Sequence, residues 1–212
     1  MSRQNTSAAS SAANNQQHRS AVTRDKILDA TFQILRDLGH AGLRSANVST
    51  ESGVSRGGLL HHYPTKEDLV VGVYERIYDS AEEQSWQRIN SVEDKELLSA
   101  IVDDARSRFF DDSYKVMLDI KIACSREKPF IQIHKALQQR HPRSAREGWA
   151  ERLVNAGVEP DKAEQIAGYL WNMIRGIAVR NLVRQDEVLT EQIIALGLKL
   201  ARRQCADYPH VN

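Results

Sequence analysis

The chain has 212 residues, 41% hydrophobic and 27% charged, a size and balance that can bury the core of one or two small domains. No run of about 18 apolar residues occurs, which argues against a membrane-spanning helix, and the N-terminus lacks the apolar region of a signal peptide. The net charge of +1 hides an uneven distribution: residues 1–66 hold eight Lys/Arg against four Asp/Glu, and the other 146 hold 21 against 24, so a basic first third precedes a mildly acidic body.

Residues 1–20 are rich in Ser, Ala, Asn and Gln and nearly free of large apolar side chains, so they are expected to be a disordered tail. Arg3 and Arg19 give it the charges of an arm that touches DNA, but an uninvolved tail is the simpler reading. Thr23 reads as the cap of the first helix, which runs to about Leu38 with Ile27, Leu28, Thr31, Phe32, Ile34, Leu35 and Leu38 on its apolar side. Gly39 stops it, and its N-terminus is a candidate neighbour for a phosphate.

The next stretch is the most informative. A short helix starts near Ser45, and Gly53 supplies the positive φ that ends it at little cost. Ser55 then offers an oxygen to the free N–H groups of a second helix, which must end before Pro64. That leaves about eight residues, too few for a stable helix in water unless one face packs and the other has a use. Leu59 and Val54 are the apolar anchors, while Arg56, His61, His62 and Tyr63 crowd the exposed side. Gly57 and Gly58, each costing about 1 kcal/mol relative to Ala, are best explained by close approach to another surface. A helix-turn-helix whose second helix enters the DNA major groove accounts for all of this, with Arg56 placed to bond guanine, whereas an ordinary helical hairpin leaves the exposed face unexplained. The first helix of the pair is unusually polar, and Ser45, Ser49 and Ser52 can be buried there if each bonds back to a carbonyl one turn earlier.

Thr65 and Asp68 resemble a capping box opening a helix to about Ile89, with Leu69, Val70, Val73, Tyr74 and Ile77 as its stripe and Lys66 placed to reach a phosphate. Helices follow over Lys95–Phe110 and Tyr114–Arg126, then over a segment from Pro129 that Pro142 kinks or divides before a stop at Gly157. The last two, about 161–184 and 190–203, are apolar nearly all round and so must be buried on more than one side, with a partner subunit as the second surface. No alternating strand pattern and no repeat appears.

Thr23-Arg24-Asp25-Lys26-Ile27-Leu28-Asp29-Ala30, Gly39, and the run from Gly53-Val54-Ser55-Arg56-Gly57-Gly58-Leu59 through Tyr63-Pro64-Thr65-Lys66-Glu67-Asp68-Leu69 resemble the N-terminal domain of TetR-family repressors over about residues 23–75. The resemblance implies an all-α fold of about nine helices, in which a three-helix DNA-binding domain (21–66) precedes a helical ligand-binding and dimerisation domain (67–212). It implies that Arg56 and Gly57 contact base edges, and that Ser45, His62, Tyr63 and Lys66 hold phosphates or adjacent edges. Arg44, Ser55, Gly58 and His61 complete the candidate DNA-binding set. Leu60 stands where the family commonly has Tyr, which removes one phosphate contact. The family pairs through its last two helices, so a homodimer reading a palindromic operator in double-stranded DNA is expected.

No hydrolase elbow, phosphate loop or dinucleotide fingerprint is present, so no catalytic residue and no cofactor is expected. A metal site is not expected either: His61 and His62 are adjacent and diverge on a helix, and Asp37-Leu38-Gly39-His40 reads as a cap region. Cys124 and Cys205 are far apart and read as inert thiols in a reducing cytoplasm. Phe109, Tyr114, Met117, Trp149, Trp171, Ile174 and Arg175 are candidates to line a cavity for a small apolar or amphipathic effector, although each aromatic is also a plausible core residue. Arg175, in an apolar helix, needs a ligand carboxylate, a protein acid or solvent. The expected function is a DNA-binding transcriptional regulator, a repressor released by such an effector. The alternatives are a regulator answering to a protein partner and a helical-bundle enzyme.

Overall fold

The computed structural model describes residues 4–208 and Val211, with side chains from Asn15 onward. Among these residues the chain is all-α, as the sequence predicts. The helices are α1 (Gln4–Gly42), α2 (Ser45–Ser52), α3 (Arg56–His62), α4 (Lys66–Ser91), α5 (Leu97–Phe109), α6 (Asp112–Cys124), α7 (Lys128–Arg140), α8 (Ala145–Asn155), α9 (Pro160–Asn181) and α10 (Glu187–Gln204), with a 3-10 turn at Asp94–Glu96. They form two compact units, Met1–Arg76 with Val116–Phe130 and Ile77–Lys115 with Ile131–Asn212. The helices α4, α6 and α7 therefore contribute residues to both. The boundary expected after residue 66 cuts the first unit too early, because Leu69, Val70, Val73 and Tyr74 of α4 are buried and complete its core.

In the first unit, α1 starts far before Thr23. The Thr23 hydroxyl is no cap; it donates to the Arg19 carbonyl one turn back, at 2.8 Å. Residues 4–22 contain no Gly or Pro, so they can extend an existing helix without a new nucleation cost despite their Ser and Asn content. Arg3, the other residue of the expected arm, lies outside the described residues. Ile27, Leu28, Thr31, Ile34 and Leu35 are buried as expected, and Thr31 satisfies its hydroxyl on the Ile27 carbonyl. Leu38 instead lies 59% exposed, one residue before the chain leaves the helical path at Gly39 (φ 66°).

The turn after Gly39 is held from three sides. The His40 N–H donates to Asp119 Oδ2 of α6 at 2.6 Å, and the His40 carbonyl accepts from Lys66 Nζ of α4 at 2.8 Å. The Arg44 guanidinium donates to the carbonyls of Ala41 and Leu43, at 2.7 and 2.9 Å. These groups occupy the acceptors that a helix C-terminus leaves open. At the start of α4, Thr65 and Asp68 form the reciprocal cap read from the sequence: Asp68 Oδ2 accepts from the Thr65 N–H, and Thr65 Oγ1 accepts from the Asp68 N–H.

In the second unit, α5 packs against α8 and α9, and α10 against α9 and α5. Two buried carboxylates organise it. Asp104 of α5 is fully buried and accepts from Ser85 and Arg88 of α4 and from Trp149 Nε1 of α8, at 3.0, 2.7 and 2.8 Å. Glu82 pairs with Arg108 at 2.6 Å and accepts the Ala145 N–H at 2.9 Å, closing the first turn of α8. Pro142 divides the segment from Pro129 into α7 and α8, and Ser144 with Glu147 caps the second piece in a full capping box. Gly157 (φ 97°) follows the end of α8.

Helices α9 and α10 are not buried all round within the chain. One side of each packs inward through Ile166, Leu170, Ile174 and Ile194. The other leaves Val179, Val188, Leu196 and Leu200 exposed, and Leu182 and Val183, just after α9, are exposed as well, Val183 by 95%.

Asp104→Ala orphans the buried Trp149 N–H and the Ser85 hydroxyl and removes the carboxylate facing Arg88. It should destabilise the protein by about 2–4 kcal/mol, read as a lower urea midpoint. An unchanged midpoint would show that the network is not a tie between α4, α5 and α8.

Candidate nucleic-acid interface

The helix-turn-helix is built by short-range chemistry. Gly53 sits at φ 65°, and its N–H donates to the Thr50 carbonyl. The reversal brings the Val54 carbonyl over α2, where it accepts from Ser49 Oγ at 2.6 Å, while Ser52 Oγ accepts the Val54 N–H at 3.3 Å. Of the polar residues in α2, only Ser52 and Thr50 donate back to carbonyls three and four residues earlier. Ser49 bonds forward because the left-handed glycine folds its acceptor onto it. Ser55 caps α3, accepting the Gly58 N–H at 3.2 Å, and Val48 and Leu59 bury fully beneath the pair.

The outer face of α3 carries Arg56, Gly57, Leu60 and His61, all exposed. Arg56 makes no ion pair or side-chain hydrogen bond among the described residues. The two glycines separate. A methyl group at Gly58 would press on Val54 Cγ1 at 3.1 Å and Ser55 Oγ at 3.3 Å, so internal packing accounts for that residue. A methyl group at Gly57 would meet nothing within 4 Å, so no contact within the chain requires it. For Gly58, packing within the chain takes the place of the expected close approach to another surface; at Gly57 nothing in the chain accounts for the glycine.

His61 and His62 stand edge to face, their ring centroids 5.2 Å apart. Burial, the neighbouring His61 and Arg24 of α1 together hold the His62 imidazole below the ordinary histidine range. Tyr63 ends α3 half-buried, and burial pushes its phenol up, so it remains a hydrogen-bond donor at neutral pH. Its ring meets Leu28 over Gly72 of α4: a methyl there would lie 2.9 Å from Leu28 and 3.0 Å from Tyr63. Ser45 is half-buried in the first turn of α2. Arg44, a member of the candidate DNA-binding set, and Lys66, placed by the sequence to reach a phosphate, both donate to carbonyls after Gly39. Their positions are explained by the fold without DNA.

The candidate effector residues fall at several places in the chain. The second unit contains a cavity of about 470 Å³ lined by Arg106, Phe109, Phe110, Lys115, Ala178, Asn181, Leu182, Gln185, Asp186, Glu187, Thr190 and Glu191. Of the seven candidates only Phe109 lines it. Tyr114 and Trp171 pack edge-on against Phe109, at 4.9 and 5.4 Å between centroids. Trp149 and Ile174 are core, Met117 belongs to the first unit, and Arg175 is exposed and bonded to Asn172. The sequence did not single out the polar lining from Asn181 to Glu191, because it reads as an ordinary helix end, turn and N-terminus. Arg106 is paired with Glu191 across that lining at 2.8 Å. Burial pushes the Cys124 thiol up to about 11, and the Cys205 thiol is raised for the same reason, so both are poor nucleophiles. No group of three or more His, Cys, Asp or Glu among the described residues is placed to hold a metal ion, and no helix among them is long and apolar enough to cross a membrane.

Comparison with known proteins agrees with this architecture. Residues 27–73 match the model of the bacterial regulatory proteins of the tetR family, which covers the last part of α1 through the first turns of α4. The HTH-type transcriptional regulator CymR of Pseudomonas putida is 31% identical over 194 residues, spanning 91% of this chain and 96% of CymR. Among solved structures, a TetR-family transcriptional regulator of Mesorhizobium loti superposes with a TM-score of 0.66 at 17% identity, over 90% of this chain and 98% of that one. The multidrug binding protein EbrR, complexed with imidazole, superposes with a TM-score of 0.56 at 19% identity, over 85% and 93%. The chain is a member of the TetR family: a helix-turn-helix, DNA-binding transcriptional regulator and not an enzyme.

Proposed function

We propose that the protein is a cytoplasmic dimeric repressor that sets one α3 into the major groove of each half of a palindromic operator and is released by a small apolar or amphipathic molecule. The observation that carries the reading is the outer face of α3. It combines an unpartnered Arg56 with a glycine at position 57 that nothing inside the chain requires. A guanidinium at a helix N-terminus suits bidentate bonding to guanine, and a missing side chain beside it lets the backbone approach a base edge. Ser55, Gly58, His61, His62 and Tyr63 flank this pair, so the reading helix is short and its determinants are few.

Pairing is supported by the exposed apolar residues of α9 and α10, a face that water disfavours and a second copy would cover. Two-fold symmetry would then set the half-sites about one helical turn, or a multiple of it, apart. Effector control is supported by the cavity in the second unit, whose volume falls in the range of small-molecule sites. The ligand-bound state of EbrR, a structure of the same fold, is consistent with such a role. Release requires the effector to favour the state with the weaker hold on DNA.

Selection of bound sequences from random duplex DNA should return a palindromic consensus; enrichment without symmetry would overturn the dimeric reading. On that consensus Arg56→Ala should cost about 1–3 kcal/mol and relax preference at one base per half-site.

Gly57→Ala separates folding from recognition. It should raise thermal stability slightly, by up to about 1 kcal/mol, since alanine favours a helix and has room there. It should weaken operator binding by at least about tenfold, or 1.4 kcal/mol. Unchanged operator affinity would remove Gly57 from the interface.

Leu196→Asp, at a position 56% exposed in the chain, should leave the helical content unchanged and shift sedimentation equilibrium from dimer to monomer. A variant that stays dimeric would place the interface elsewhere.

A further inference from the structure

We propose that Arg24, His61 and His62 form one proton-responsive clasp for a backbone phosphate of the bound DNA, at the C-terminal end of α3. The inference rests on the reading of α3 as the helix that meets DNA, and adds to it a residue of α1 and a dependence on pH.

The placement follows from packing. Leu28 of α1 and Tyr63 at the end of α3 converge on Gly72, within about 3 Å of where its side chain would begin. Arg24 lies four residues before Leu28 and so shares its helix face, one turn nearer the N-terminus. His62 directly precedes Tyr63. The packing therefore brings the Arg24 turn beside His62 and Tyr63, close enough for its charge to act on both. Arg24 is exposed and makes no ion pair among the described residues, unlike Arg76, which is paired with Asp29 at 2.7 Å.

The other charged groups near this corner are Asp25 of α1 and Glu75 and Arg76 of α4, which act on Tyr63 rather than on the imidazole. Arg24 and His61 both act on His62, and the two imidazoles stand 5.2 Å apart, so three groups that are or can become cations lie around one imidazole. In the free protein its partial burial and the nearby His61 and Arg24 disfavour charging His62. A phosphate between them reverses that balance, because each positive charge then has an anion to face.

The sign of the linkage is fixed by this. The bound state holds more proton than the free state wherever pH lies between the free and bound midpoints of His62, so affinity rises as pH falls through that window. Above the bound midpoint the imidazole is neutral in both states, and below the free midpoint it is charged in both, so the dependence vanishes at either end. One linked proton changes affinity by at most tenfold per pH unit.

The test uses the full chain and a short fluorescein-labelled duplex carrying the selected consensus. Anisotropy gives Kd at constant ionic strength from about pH 6 to pH 8, where one partly linked proton predicts a gain of roughly three- to tenfold toward the acid end. His62→Gln should flatten the profile. Arg24→Gln should lower the slope of log K against log salt by about one while leaving base preference intact. His62 is half-buried, so proton NMR titration of the wild-type imidazoles gives a second reading free of substitution: the His62 midpoint must move up when duplex is added. A flat wild-type profile, an unmoved midpoint, or an unchanged salt slope in Arg24→Gln overturns the clasp. If the duplex binds tightly with no pH dependence, the clasp alone fails. If no duplex binds at any pH, the reading of α3 fails and the clasp with it.

Discussion

A helix of seven residues does not persist in water by itself, and α3 is that short. Its existence depends on Leu59, fully buried against the rest of the first unit, and on the Ser49–Val54 and Ser55–Gly58 hydrogen bonds that fix the turn before it. Because one face is tied down this closely, the opposite face is held in a fixed orientation at little further entropic cost. The remainder of the first unit follows from the need to bury Leu59 and Val48: α1 supplies Ile27, Leu28, Ile34 and Leu35, and α4 closes the core with Leu69, Val73 and Tyr74.

What the sequence revealed and what it hid have physical reasons. The turn was legible because its signals are local: a positive-φ glycine, a serine cap and a proline stop act within a few residues. The Thr65–Asp68 cap and the break at Pro142 were legible for the same reason. The start of α1 was not, because helix extension depends on continuity with an existing helix and is barely marked in composition. The fates of Arg44 and Lys66 were hidden too. Their acceptors are carbonyls freed by the break at Gly39, and for Lys66 the partner lies 26 residues away. The cavity wall was only partly legible: Phe109 is among the candidates, and its polar neighbours from Asn181 to Glu191 are not. Large apolar residues announce burial but not which side of a core they bury on, so Trp149 and Ile174, both fully buried, read in the sequence as Phe109 does.

Helix α6 is shared by the two units. The unit that holds the helix-turn-helix includes Val116–Phe130, residues separated from it by most of α4 and all of α5. Within that unit Asp119 accepts the His40 N–H at 2.6 Å, and Gly39 brings the backbone to it without a side chain in between. The chain segment that reaches Asp119 is α6, whose first turns belong to the second unit and include Lys115, a cavity-lining residue. One continuous helix thus carries a residue of the cavity wall and a residue that fixes the turn before α2. A physical coupling needs two arrangements of such an element that a ligand can bias.

The cations of the first unit are divided by the same electrostatics. Helix α1 ends at a break, and its open carbonyls attract the nearest mobile donors, Arg44 and Lys66. Those two charges are neutralised in effect by backbone dipoles. Arg24 and Arg56 have no such acceptor within reach among the described residues, and neither forms an ion pair. Charge left without an internal partner on a rigid surface carries the positive potential that an anionic polymer meets first. On this account the basic excess of the first third of the chain overstates what is available to DNA. The cations the fold leaves without an internal partner include Arg56 on α3 and Arg24 on α1.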